Sequence, residues 1–252
     1  MARLRAPDGC PWDLEQTPES LKAYIIEEAY EVCEAIEGGE PTELCGELGD
    51  LLLQVVFQAQ IAKEQGDFDI DDVVNAISDK MERRHPHVFG DEEAESADEV
   101  MAQWEQRKLK EKGRKGYLDG IPKHLPGLLK ARRVSDKAGL VGFEWPSIDG
   151  AAAKVNEEWA ELQEAIETKN TDEIVHELGD VLFALVNLSR YVNVDPEDAL
   201  RRTVQRFSTR FQYVEKQILA RGDTLDQVDL DDMEVLWQEA KTIESQSKDR
   251  TP

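Results

Sequence analysis

The chain has 252 residues, enough for one large domain or two small ones, and 40% of them are hydrophobic, so each half can bury a core. Asp and Glu number 54 against 30 Lys and Arg, a formal net charge of -24, which opposes a non-specific nucleic-acid or anionic-membrane surface because both need a basic stripe. No apolar run approaches the length of a membrane span, and the N-terminus lacks a signal-peptide core. Three cysteines, Cys10, Cys33 and Cys45, form no C-x-x-C pair and point to a reduced, cytoplasmic protein. Neither G-x-x-x-x-G-K-[ST] nor G-x-G-x-x-G occurs, so any nucleotide is handled without a glycine phosphate cradle.

Nearly every segment has helical period, and no alternating strand stands out. Thr17 and Pro18 supply an N-cap and a first-turn proline for a helix that stops at Gly38-Gly39. Pro41 opens a second helix to about Gly66, whose stripe is Leu48, Leu51, Leu52, Val55, Val56 and Ala59 at i, i+3, i+4, i+7, i+8 spacing. Asp69 begins a third, ending near Arg84-His85-Pro86, and Ser96-x-x-Glu99 is a capping box for a fourth through about Lys112. Gly113 to Gly127, rich in Gly, Pro and Lys, reads as a linker, followed by a short helix from Leu128 to Ala138. The order then repeats. Ser147 caps one helix, and Thr171 caps the next, with the stripe Leu178, Val181, Leu182, Leu185 and Val186. Asp195-Pro196 starts a third helix and Asp229 or a neighbour the last, while Ser245 to Pro252 reads as a frayed tail. The expected fold is all-α: two tandem helical bundles of about four helices each, residues 1–112 and 128–252, joined by a linker at 113–127. The stripes suit a core, and equally packing between halves or between chains.

The repeat extends to chemistry. Glu27-Glu28-x-x-Glu31 is followed by Glu47-x-x-Asp50, and Glu157-Glu158-x-x-Glu161 by Glu177-x-x-Asp180; adding 130 converts each acid of the first set into its partner in the second. Glu28 and Glu31 are i, i+3 on one helix, and Glu47 and Asp50 are i, i+3 on the next. A short connection makes the two helices antiparallel, so four carboxylates can converge across one seam, with Glu27 at its edge. Clustered carboxylates repel, and without a counterion some must take up a proton. Mg²⁺ resolves this, since it prefers oxygen ligands and commonly binds with substrate phosphates; Mn²⁺ suits the same set. A solvated acidic face would explain one E-E-x-x-E, not a matched second pair and a repeat of the whole set. A di-iron bundle would use two Glu-x-x-His motifs. Glu173-x-x-His176 fits one, but its partner Glu43-x-x-Gly46 lacks the imidazole, so His176 reads as a polar neighbour of the site.

The two-part acid motif resembles that of the MazG family of nucleoside triphosphate pyrophosphohydrolases. The resemblance covers nearly the whole chain in its tandem arrangement. It is carried also by Gly9-Cys10-Pro11-Trp12-Asp13, Gly46-Glu47-Leu48-Gly49-Asp50-Leu51-Leu52, Glu82-Arg83-Arg84-His85-Pro86-His87-Val88-Phe89 and Val141-Gly142-Phe143-Glu144-Trp145. It implies Mg²⁺-dependent hydrolysis of nucleoside triphosphates to monophosphate and pyrophosphate, in a nucleotide-pool housecleaning role, by a homodimer. The implied metal ligands are Glu158, Glu161, Glu177 and Asp180, with Glu28, Glu31, Glu47 and Asp50 in the first half. Glu157 or Glu161 is the candidate for orienting or deprotonating water. Lys154, Glu157, Glu158, Arg206, Arg210, Trp237 and Lys241 are the candidate substrate contacts: Arg grips phosphate oxygens with its planar fork, and Trp237 can stack on a base. The first half has Lys80 and Arg84, four residues out of register, and Trp104 and Lys108, but Tyr24 where the second has Lys154. The second half is therefore expected to be the main catalytic centre. A narrower dUTPase-like enzyme and a non-catalytic nucleotide-sensing scaffold are the alternatives.

Overall fold

The computed structural model describes residues 1–96, 99–100, 103–104, 107 and 116–248, and among them there are helices and turns but no strand. The chain divides into two compact units, Met1–Lys108 and Leu109–Pro252.

In the first unit, α1 is Pro11–Glu15, α2 Lys22–Gly38, α3 Pro41–Gln65, α4 Ile70–Arg84 and α5 the single turn Pro86–Phe89. Gly39 ends α2 and Gly66 ends α3 in the left-handed region, at φ 75° and 81°, where a side chain would be strained. The two-residue connection between Gly38 and Pro41 folds α3 back antiparallel to α2. Asp69 and Asp72 form the capping box that starts α4. The helix predicted from Thr17 begins instead at Lys22. Thr17 and Ser20 bond each other's backbone at 3.2 and 3.0 Å and close a separate turn, after which Leu21 is fixed in a core cluster with Phe57 and Ile61. The fourth predicted helix, Ser96 to Lys112, lies largely outside the described residues. At its start Glu99 donates its N–H to Ser96 Oγ at 3.2 Å, while its carboxylate accepts from Glu95 N and not from Ser96 N.

The N-terminal segment is pinned by Arg5. Its guanidinium grips Glu64 of α3 at 2.8 and 3.0 Å, donates to the Gln16 carbonyl at 3.2 Å and stacks 5.6 Å from the Phe57 ring centroid. Gly9 is required here: a Cβ would stand 2.1 Å from the Leu4 carbonyl oxygen.

In the second unit, α6 is Gly127–Gly139, α7 Ile148–Thr168, α8 Thr171–Tyr191, α9 Pro196–Ala220 and α10 Leu230–Lys248, with a 3-10 turn at Leu225–Gln227. Arg190 of α8 bonds Asp136 of α6 at 2.9 Å and Glu144 at 3.1 Å, and Tyr191 donates its hydroxyl to the Trp145 carbonyl at 2.7 Å. The Val141-to-Trp145 segment is thus tied to the end of α8. Val214, Ile218 and Leu236 form a core between α9 and α10. Three expectations need correction. Asn170, not Thr171, caps α8, because its amide oxygen reaches Asp172 N at 3.1 Å. Ser147 stands at the α7 cap position, but its hydroxyl makes no cap bond. The tail expected to fray from Ser245 stays helical to Lys248, and 249–252 lie outside the described residues.

The apolar stripes are only in part the cores of these helices. Leu48, Leu52 and Val55 are exposed, as are Leu178, Leu182 and Leu185, whereas Ala59 of the first stripe and Val181 and Val186 of the second are buried; α3 also buries Gln54, Phe57, Ile61 and Ala62. At about 100° per residue, Gln54, Phe57 and Ile61 share a face with Glu47 and Asp50, while the exposed stripe residues Leu48, Leu52 and Val55 are centred about 150° away. Periodicity found a real apolar face, but α2 packs on the polar one.

Candidate metal centre

The acids lie along the seam of each helical hairpin because i, i+3 spacing puts each pair on the face that meets the neighbouring helix. In the first hairpin, Glu28 of α2 and Glu47 and Asp50 of α3 each offer a carboxylate oxygen, all within 4.8 Å of one another. In the second, Glu158 and Glu161 of α7 and Glu177 of α8 do the same. The sets are not superimposable copies: Glu31 stands outside the first group and Asp180 outside the second. His176 Nδ1 lies 3.3 Å from Asp180, one turn back, where the first half has Gly46.

Crowding shows in the protonation of these groups. Partial burial, then the charges of Glu31 and Asp50, push the Glu28 carboxyl above its ordinary value. Burial, then Glu31, Asp50 and Glu43, do the same to Glu47. Glu161 is pushed up by its hydrogen bond with Glu158, then by burial and the Glu158 charge. Glu158 is the most buried of the acids, at 7% exposure. Donors that are all oxygen, in threes, and held against their own repulsion fit a hard divalent cation.

The second cluster already holds a cation. Lys154 Nζ lies 2.7 Å from Glu157 Oε1 and 2.7 Å from Glu158 Oε1, and these bonds, Glu157 first, raise the lysine pKa. In the first half Tyr24 takes this place and turns its ring edge to Trp12, 6.0 Å between centroids. Gln54, which the sequence reading did not single out, is one turn beyond Asp50 on the seam face; it is 7% exposed and its Oε1 has no hydrogen-bond partner. The i+4 spacing from Asp50 was the available signal.

The remaining candidates sit on α9 and α10. Arg210 is paired with Glu244 at 2.7 Å and lies 5.7 Å from the Trp237 ring centroid. Trp237 packs on Phe207, 5.0 Å away, and joins the α9–α10 core. Arg206 donates to Thr203 Oγ1 at 3.1 Å, and Lys241 is exposed. Among the described residues none of these four bonds an acid of either cluster.

Residues 16–89 and 148–214 each match the MazG nucleotide pyrophosphohydrolase domain. The chain is 46% identical over 250 residues to a nucleoside triphosphate pyrophosphohydrolase of Escherichia coli K12, covering 97% of this chain and 95% of that one. It is also 46% identical over 243 residues to the nucleoside triphosphate pyrophosphohydrolase/pyrophosphatase MazG of Thermotoga maritima, covering 96% and 92%. An uncharacterized Bacillus subtilis protein, YabN, is 45% identical over 247 residues, which is 97% of this chain and 50% of that longer protein.

Proposed function

The chain belongs to the MazG nucleotide pyrophosphohydrolase family, and from that premise we propose that it hydrolyses nucleoside triphosphates to monophosphate and pyrophosphate with Mg²⁺. The observation that carries the reading is the pair of three-carboxylate clusters at matching places in a repeated hairpin. Glu158, Glu161 and Glu177, with Asp180, would hold the ion in the second half; Glu28, Glu47 and Asp50, with Glu31, would hold it in the first. Mg²⁺ is preferred to Mn²⁺ for its all-oxygen donor set and its habit of binding with phosphates. When bound, it supplies charge for the phosphate oxygens and a more acidic water.

The chain's own groups supply the rest. Glu157 is exposed and is tethered by Lys154, which places it at the rim of the cluster, where it can orient a water and take its proton. Glu161 is the other candidate for that role. Lys154 is close enough to the acids to meet a phosphate bound among them. Arg206 and Lys241 bond no carboxylate among the described residues and are assigned to the triphosphate. Arg210 is held by Glu244, so the same role for it means exchanging one anion for another. Trp237 is assigned to the base, through the part of its ring that the α9–α10 core leaves exposed. The second half, with Lys154, is proposed as the main catalytic centre. Residues 1–112 and 128–252 are proposed as the functional domains, with 113–127 as the linker.

We also propose a homodimer. The exposed positions Leu48, Leu52, Leu53 and Val55 recur 130 residues on as Leu178, Leu182, Phe183 and Leu185, so each half shows a similar apolar face. A monomer by light scattering at micromolar concentration would refute this. No described helix is long and apolar enough to cross a membrane. The cytoplasm, where the nucleotide pool and reduced thiols coexist, is the proposed compartment, and pool housecleaning the proposed role.

The test is ³¹P NMR of the protein with Mg²⁺ and a mixed pool of NTPs and dNTPs, with an EDTA control. Monophosphate and pyrophosphate, abolished by EDTA, are the expected products. Diphosphate and phosphate would place attack at the γ-phosphorus and refute the reading. Hydrolysis of one nucleotide alone would favour a narrow enzyme, and metal-dependent binding without turnover a sensing scaffold.

A further inference from the structure

The two hairpins carry the same acids but not the same counter-cation. In the second, the Lys154 ammonium sits 2.7 Å from Glu158 Oε1, and Glu158 is one of the three carboxylates grouped within 4.8 Å. Glu157 holds the same ammonium from the other side at 2.7 Å. In the first, the equivalent Tyr24 brings no charge. The seam there offers another oxygen instead, the buried and unpartnered Oε1 of Gln54, where the second half has Ala184.

We propose that Lys154 is a resident cation of the second cluster, which a divalent ion must displace from Glu158 before that carboxylate can act as a ligand. The inference rests on the metal reading given above. Like charges exclude one another at this range, since two cations sharing one carboxylate repel across a few ångströms. The metal-free second hairpin is therefore already neutralised in part, and the first is not. Without nucleotide, the first cluster is the tighter divalent site and the second the weaker. The displaced ammonium is tethered on α7 one turn before Glu158, within reach of anions that bind among the acids. The centre proposed to carry turnover thus takes its metal readily only when an anionic partner receives Lys154, whereas the first cluster binds metal whether or not nucleotide is present.

The test uses the full chain without nucleotide. Free Mn²⁺ is followed by electron paramagnetic resonance during titration. The expected result is two classes of site. Glu47→Gln removes the tighter class. Lys154→Met tightens the weaker one by about tenfold, in line with the strength of charge-assisted bonds, while Lys216→Met, which deletes an equal charge on α9, leaves it unchanged. Tyr24→Lys weakens the tighter class. In parallel, the Lys154 side-chain ammonium resonance, identified by its loss in Lys154→Met, is expected to disappear as Mg²⁺ fills the site. One common affinity, no tightening in Lys154→Met, or an ammonium signal that persists to saturation would overturn the displacement while leaving metal binding intact. No Mn²⁺ bound at either class would overturn the metal reading itself, and this inference with it.

Discussion

Arg5 offers a sharp test of how the first hairpin is held. Its side chain is 8% exposed and grips a Glu64 carboxylate that is 36% exposed, besides bonding the Gln16 carbonyl and covering Phe57. Breaking a fully buried ion pair costs about 3–5 kcal/mol. Glu64 can rehydrate once released, which lowers that cost, whereas the carbonyl left without its donor adds about 1 kcal/mol. Arg5→Ala is therefore expected to destabilise the first unit by about 2–3 kcal/mol, or roughly 10 °C for a unit of its size. The lock also depends on pH. Arg5 lowers the Glu64 pKa below 4.5, so its contribution is present above 4.5 and is lost as pH falls through the lowered folded value. The gap between wild type and Arg5→Ala should narrow below about pH 4.5. Scanning calorimetry across pH reads the gap, and hydrogen exchange should place the loss in the N-terminal segment and α3. A shift below about 3 °C, or a gap indifferent to acid, would refute the reasoning.

Glu161→Gln is expected to cut turnover by about a hundredfold or more and Glu31→Gln by only a few-fold, as for lost metal ligands in a main and a minor site; equal losses would sink the proposed asymmetry. Burial and then neighbouring acids raise the pKa values of Glu28 and Glu47, and the hydrogen bond with Glu158, then burial, raises that of Glu161, so the cost of keeping them ionised is fully present above those values and is relieved as pH falls toward 4.5. The melting temperature of metal-free protein should accordingly rise as pH falls from neutral toward 4.5, and Mg²⁺ should flatten that slope; a flat metal-free profile would refute the crowding. Gly9→Ala must move backbone, since its Cβ would meet the Leu4 and Arg3 carbonyl oxygens at 2.1 and 2.7 Å; a loss of at least about 2 kcal/mol in urea unfolding is expected. Leu52→Glu and Leu182→Glu put charge on the matched exposed faces. Each should weaken association in light scattering while leaving the helical content by circular dichroism unchanged.

Local signals in the sequence located most helix ends, because proline, glycine and capping acids act within one turn. Pro41, Gly39, Gly66 and Asp69 stand where a single-turn argument puts them. Signals that compete within two residues misled: at Asn170-Thr171 the amide won the cap, and at Thr17 a reciprocal bond with Ser20 closed its own turn. The acid clusters were legible because their spacing and their repeat are properties of the sequence. The membership of each group was not, because it depends on where each side chain points on its helix, which spacing alone does not give: Glu31 and Asp180, at matching places in the motif's halves, both fall outside. The seam itself was hidden by the stripe. A hydrophobic period says that a face is apolar, not which surface covers it.

The position of the acids along the hairpin has its own consequence. The large buried side chains of α3, Phe57 and Ile61, meet Leu21 at the end away from the connection. Glu47 lies near the connection, about 20 Å from Ile61 at helical rise. On α2 only Val32 and Ala35 are buried at that end. The hairpin is thus clamped at one end by large apolar side chains and, at the other, joined by the small buried side chains Val32 and Ala35 and the Gly39–Glu40 turn. Repulsion among the acids acts where the buried side chains are smaller, and a cation bound there would relieve it.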